Sequence, residues 1–342
     1  MKHSINASPV CCRLLALVLL GAILGVLGGC ERSGPAGAGR DGASQWREVR
    51  DGGMNGRYFV PAQPGPRPAL LVLGGSEGGI ESASLAAEFS QSGYTSLALG
   101  YFGLPGLPLQ LKEIPLEYFS AAIDWLAQQP QVDRSRIAVV GISKGAEAAL
   151  LIASHDPRVR AVVAATPSAY AWQSLDFVNW SDTPSWTRAG LAVPYVRLAP
   201  FNLTRHGTDL GLLHADSLAA ATPQMIAAAR IPIERSRAAI LLIAGQDDRM
   251  WDASGYSATI ERDLAARGLG EGLRVLRYAD AGHAIFAPPR AVDEATLTRM
   301  LAYGGTREGT RAALADSWPA ALAFLAEALD VPAERDDTPQ AD

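Results

Sequence analysis

Gly141-Ile142-Ser143-Lys144-Gly145 is the stretch whose residue types and spacing point most directly to chemistry. It lies between an apolar run, Ile137 to Val140, and a segment of helical composition, Lys144 to Ser154. A serine flanked by small residues at a strand-to-helix junction can occupy a turn too tight for bulkier neighbours, with its hydroxyl thrust clear of the chain. Such a hydroxyl becomes a good nucleophile only when a base takes its proton, and the base needs an acid to orient it. His283 meets the first need: it stands in Asp280-Ala281-Gly282-His283, just after the apolar run Leu273 to Tyr278. Gly245-Gln246-Asp247-Asp248 follows the run Ala239 to Ala244, which gives the chain order serine, acid, histidine. Asp248, three residues after the glycine, is the expected acid. Asp247 is the second choice and otherwise shapes the loop, while Asp280 is too close to His283 in sequence to orient its ring easily. Of the other histidines, His155 follows the elbow helix too closely to fold back on Ser143, and His206 and His214 fall in an insertion.

Acyl transfer also needs N–H donors aimed at the developing oxyanion. Lys144, just after the nucleophile and at a helix start, provides one backbone N–H. The other is expected from Gly74-Gly75-Ser76-Glu77-Gly78-Gly79, with Ser76 first and Glu77 next. That turn lacks the Lys-Ser/Thr ending of a Walker sequence and its spacing misfits a dinucleotide fingerprint, so no cofactor is expected. No group of histidines and carboxylates has metal-ligand spacing, and no metal is expected.

These groups need a scaffold that brings distant loops to one rim. Short apolar runs at Ala69 to Leu73, Tyr94 to Leu99, Ile137 to Val140, Val159 to Ala164, Ala239 to Ala244 and Leu273 to Tyr278 read as buried strands. Between them, Leu116, Phe119, Ile123 and Leu126 recur at helical spacing before Pro130, and Ser254 to Arg267 reads as a further helix. A C-terminal helical stretch is expected to be interrupted at Pro319. Buried strands alternating with helices predict an α/β fold, a mostly parallel sheet covered on both faces, with sites beyond the carboxyl ends of the strands. The interval 167–230 breaks the alternation and reads as a cap insertion. Its Trp172, Phe177, Trp180 and Trp186 either line an acyl pocket or bury the cap against the body.

The chain has 342 residues, 48% hydrophobic and 19% charged, enough for one large core. A formal net charge of -5 argues against a nucleic-acid partner. Lys2 and Arg13 precede the apolar run Leu14 to Val26, the layout of an export signal over 1–29; a permanent membrane-spanning anchor is the rival reading. Leu27-Gly28-Gly29-Cys30 resembles a bacterial lipobox, which makes Cys30 the lipidated first mature residue and the lipid bilayer a partner. Residues 30–45 read as a flexible tether, 46–332 as the catalytic domain and 333–342 as a disordered tail. Glu31 after Cys30 resembles outer-membrane sorting, so the expected location is the periplasmic side of the outer membrane.

Several blocks in order resemble a known family: LGGSEGG, LALGYFGLPGLP, LKEIPLEYFSAAIDWL, VGISKGAE, LLIAGQDDRMW and YADAGHAI, followed by the Trp318 helix. Together they are similar to the catalytic domain shared by bile acid-CoA:amino acid N-acyltransferase and the acyl-CoA thioesterases. The resemblance implies an α/β-hydrolase with Ser143, Asp248 and His283 as nucleophile, acid and base, and an acyl thioester as substrate. The acyltransferase branch resembles a Cys-His-Asp enzyme, whereas a serine here favours transfer of the acyl group to water. The β-sandwich that precedes the catalytic domain in the animal enzymes is expected to be missing. Because CoA thioesters are made in the cytoplasm, an exported protein motivates a second expectation, a carboxylesterase or deacylase acting on oxygen esters. A third is a non-catalytic lipoprotein that binds acyl ligands.

Overall fold

The computed structural model describes residues 38–41, 44–176 and 181–330. β1 (Ala38–Asp41), β2 (Ser44–Val49), β3 (Asn55–Pro61), β4 (Arg67–Leu73), β5 (Thr95–Gly100), β7 (Val132–Ile142), β8 (Val159–Ala165), β11 (Ala239–Gly245) and β12 (Leu273–Tyr278) form one sheet. Its order is β1-β2-β3-β5-β4-β7-β8-β11-β12. From β5 to β12 every pairing is parallel, and β1 to β3 add an antiparallel extension. The helices are α1 (Ala83–Gln91), α2 (Leu116–Ala127), α3 (Lys144–Ala153), α4 (Leu203–His206), α5 (Leu210–Ala220), α6 (Pro223–Ala229), α7 (Ala253–Ala265), α8 (Glu294–Met300) and α9 (Arg307–Asp330).

The central strands read as unbroken apolar runs because both of their faces are covered. Leu71, Leu73, Val139, Val162 and Leu242 pack on one side with Phe119 and Ile123 of α2 and Ile260 of α7. The alternate residues Leu70, Val72, Val140, Val163 and Leu241 pack on the other with Phe89 of α1 and Phe324 and Leu325 of α9. By length and composition α9 could cross a membrane. Here it is a core helix, with Ala313, Trp318, Ala321, Phe324 and Leu325 buried against the sheet.

α9 runs through Pro319 without the expected interruption. The missing N–H forfeits one bond in the ladder, and the buried face on either side, Trp318 and Ala321, keeps the helix against the sheet. The stretch read as a tether, 30–45, contains β1, which pairs with β2 from Ala38↔Arg47 to Asp41↔Ser44. Backbone pairing asks little of side chains, so a Gly- and Ala-rich composition does not forbid it. No strand was expected before Ala69 because β2 and β3 carry Arg47, Glu48 and Arg57, which dilute the apolar signal. The export signal, Cys30, the tail 333–342, Phe177 and Trp180 lie outside the described residues.

One feature of the strand order positions the site. β5 lies on one side of β4 and β7 on the other, so the connections leaving β4 and β7 diverge at a crevice. The Gly-rich turn leaves β4 there and Ser143 leaves β7 next to it, with Leu73 and Gly141 in register.

Candidate active site

Ser143 closes β7 and precedes α3, with φ 56° and ψ -119°. Only a turn held from both sides keeps a non-glycine residue in such a conformation. The hold is visible: Ser143 N–H donates to Ala165 O at 2.9 Å, and Ser143 O accepts from Ala146 N–H at 2.9 Å. The flanking glycines are there for space. A Cβ on Gly141 would sit 2.1 Å from Gly145 O, and one on Gly145 would sit 2.2 Å from Gly74 O.

Asp248 and His283 come together from the ends of β11 and β12. His283 Nδ1 and Asp248 Oδ2 are 2.8 Å apart, and the Asp248 side chain is buried. The other carboxylate oxygen, Oδ1, accepts from Met250 N–H at 2.8 Å and Trp251 N–H at 3.2 Å. A carboxylate so held keeps the Nδ1–H tautomer of the ring and leaves Nε2 as an acceptor. Asp247 turns away instead, accepting from Gly305 N–H at 2.8 Å, and so shapes the loop. Asp280 is exposed.

Trp251 ties the two halves of the site together. It lines a pocket with Ser143 and meets the His283 ring edge-on at 5.7 Å, while its Nε1 donates to Thr166 O at 3.1 Å. Among the described residues, no direct hydrogen bond joins Ser143 to His283. Contacts of this kind commonly tighten only once substrate is bound.

Ser76 and Lys144 line the same pocket as Ser143. Glu77, the other candidate donor, uses its own N–H on its own carboxylate, which also accepts from Gly75 N–H at 2.8 Å. Burial pushes the Glu77 carboxyl up from its usual range; these N–H groups and the His283 charge pull the other way. Tyr101 OH bonds to the carbonyls of Gly74 at 2.7 Å and Gly75 at 2.8 Å, which fixes the turn from behind.

Above Ser143 the cavity measures about 690 Å³, its solvent-open mouth included. Trp172, Leu175, Leu198 and Phe201 form one wall, Leu210, Leu213 and His214 of α5 another, and Met250 and Trp251 a third. Such a lining suits an apolar chain. His214 packs edge-on against Trp172 at 4.5 Å and Trp251 at 5.7 Å, and burial lowers its pKa to about 4. The cap therefore both packs and lines: Trp186 is wholly buried against Tyr101 and Phe119, and Trp172 faces the pocket. His155 bonds to Leu151 O at 2.8 Å, and His206 is buried beside Asp216 at 3.1 Å, both outside the pocket lining.

The model of the family "BAAT / Acyl-CoA thioester hydrolase C terminal" matches residues 114–331, more than half of the chain. The chain belongs to this family. Acyl-coenzyme A thioesterase 6 of Homo sapiens is 29% identical over 285 residues, covering 81% of this chain and 64% of that protein. Acyl-coenzyme A amino acid N-acyltransferase 2 of Rattus norvegicus is 31% identical over 281 residues, covering 79% and 62%. This family member thus spans less than two thirds of the length of those relatives. Among solved structures, a puromycin-hydrolyzing peptidase of Mycobacterium tuberculosis matches with TM-score 0.56 at 15% identity, covering 86% of this chain and 41% of the other. A Klebsiella pneumoniae chain assigned as a dienelactone hydrolase matches with TM-score 0.53 at 17% identity, covering 83% and 98%. The fold is that of the α/β-hydrolases.

Two residues at the site of this family member carry a weaker signal in the sequence. His214 stands four residues after Leu210, so the two share a helix face. Glu147, within VGISKGAE, is a carboxylate in a largely apolar helix, a signal that something buried must pair with it.

Proposed function

We propose that this protein is a serine hydrolase that cleaves an acyl thioester through an acyl-enzyme on Ser143. The observation that carries the reading is a strained Ser143 lining an apolar pocket with Trp251, whose ring meets His283 at 5.7 Å, and His283 bonded in turn to Asp248 at 2.8 Å. His283 Nε2 takes the hydroxyl proton as Ser143 Oγ attacks the acyl carbonyl, and Asp248 stabilises the imidazolium that forms. Backbone N–H groups of Lys144 and Ser76 receive the oxyanion. The thiol leaves with the proton from His283. Water, deprotonated by the same ring, then attacks the acyl-serine, and His283 passes that proton to Ser143 Oγ as the ester bond breaks and the acid is released. Membership of the family and the thioesterase names of its relatives support the thioester as substrate.

The second reading keeps the mechanism and changes the leaving group to an alcohol. It is favoured by the run Leu14 to Val26 followed by Leu27-Gly28-Gly29-Cys30, which suits export, lipidation of Cys30 and an outer-membrane site facing the periplasm. The purified protein is expected to be labelled at Ser143 by a fluorophosphonate and to hydrolyse palmitoyl-CoA faster than p-nitrophenyl esters. Rates favouring the oxygen esters by orders of magnitude would select the second reading, and an unlabelled folded protein would refute both.

A further inference from the structure

One buried carboxylate at this site has no part in the triad. Glu147 lies in the first turn of α3 and is fully buried. Its Oε2 accepts from Lys144 Nζ at 2.6 Å. Its Oε1 accepts from Trp186 Nε1 at 2.6 Å and from the backbone N–H of Trp172 at 3.1 Å. Removing two charges from water commonly costs as much as their attraction returns, and replacing such pairs with well-packed apolar residues is often neutral or stabilising. Stability alone is a poor reason for this pair.

Each of its three donors leads back to the chemistry. Lys144 and Trp172 line the pocket beside Ser143. Trp186 packs against Tyr101 at 5.9 Å with the two rings tilted by 43°, and Tyr101 is the residue whose hydroxyl holds the Gly74 and Gly75 carbonyls of the oxyanion turn. The Lys144 ammonium also stands 5.4 Å from the centre of the Trp186 ring. A single side chain thus joins the helix that follows the nucleophile to the pocket wall and, through two rings in contact, to the turn after β4.

We propose that Glu147 is a positioning residue for the reaction, its carboxylate setting Ser143 against both the pocket wall at Trp172 and the oxyanion turn at Gly74 to Ser76. The proposal rests on the hydrolase reading above. A displacement of about 1 Å in such a constellation costs on the order of 100-fold in rate. Two variants separate positioning from simple stability. Glu147→Gln keeps an oxygen for both tryptophans, whereas the double variant Lys144→Met, Glu147→Leu removes the acceptor and leaves no buried charge unpaired.

The experiment measures kcat and KM for p-nitrophenyl acetate and p-nitrophenyl octanoate, per mole of protein shown folded by circular dichroism and thermal melting. The double variant is expected to lose about 100-fold in kcat on both esters, with a larger rise in KM for octanoate because the longer chain meets the Trp172 wall. Glu147→Gln is expected to recover most of that kcat. If the double variant merely melts earlier, with kcat per folded molecule and the acetate-to-octanoate ratio unchanged, the proposal is overturned. So it is if Glu147→Gln is as impaired as the double variant. An inert wild-type protein would instead overturn the hydrolase reading and this inference together.

Discussion

Val139, Val140, Leu71 and Leu73 in the body, and Trp172 and Trp186 in the cap, are all buried to within 1% exposure. The means differ. Body residues sit in a parallel ladder where each strand is paired on both sides, so position follows from backbone bonds and from apolar layers above and below. Among the described residues, the strand pairing of the cap is the short ribbon of β9 (Trp186–Arg188) and β10 (Leu191–Ala192), which β6 (Ile114–Pro115) joins from the body, together with isolated bridges such as Trp172↔Val196. It meets the body through separate contacts on several elements, among them the Trp186 indole on Glu147, the Leu175 N–H on Leu111 O and the Gly211 N–H on Arg249 O. The contrast is a division of labour. Ser143, Asp248 and His283 stand at the ends of paired strands, and much of the pocket wall, from Trp172 to His214, stands on a part whose attachments can be changed singly.

The sharpest break in that comparison is at the nucleophile. Ser143→Ala is expected to lower kcat by about 10⁴-fold or more while circular dichroism stays unchanged; turnover near the wild-type rate would remove Ser143 from its role. Next in size is Asp248→Asn, which keeps the shape but presents the wrong hydrogen-bonding partner to His283 Nδ1. It should cost on the order of 10⁴-fold in kcat with KM little altered. An effect confined to KM would mean that Asp248 serves binding.

In the cap, losses should appear in stability and selectivity. Trp186→Ala removes a wholly buried indole and is expected to destabilise the protein by about 3–5 kcal/mol in urea unfolding. An unchanged midpoint would show that the cap is held elsewhere. His214 supplies a pH test. Its pKa falls from 6.5 unfolded to about 4 folded, so folding favours the neutral ring. Its contribution is whole above pH 6.5 and is lost as pH falls towards 4. By linkage the loss is about 3 kcal/mol, so His214→Leu should flatten the decline in stability between these values. An equally steep decline in the variant would exclude His214 as its source. The smallest expected change is at Trp172→Leu, which enlarges the pocket and should shift preference towards longer acyl chains by about 10-fold in kcat/KM. A chain-length series in which short and long esters change equally would place Trp172 outside the acyl wall.

How much could be read from the chain alone follows the same division. Ile137 to Val140 and Leu273 to Tyr278 announce themselves because a strand covered on both faces admits few polar residues. The glycines around Ser143 announce the elbow because a Cβ there would collide with backbone. The antiparallel strands before Ala69 gave no comparable signal, since one edge of that region faces water and tolerates Arg47 and Glu48. Pro319 misled because a local rule about proline was outweighed by a buried helix face.

Local composition and spacing were enough for the alternating core, the elbow, and a serine, an acid with Asp248 preferred, and a histidine in that order. The contact of Asp248 with His283, the closing of the pocket by His214 and Trp251, and the joining of Lys144, Trp172 and Trp186 by Glu147 were settled by tertiary packing. Those outcomes depend on which loops leave neighbouring strands and on which buried polar atoms find partners across the fold. Neither is encoded in the spacing of any one segment.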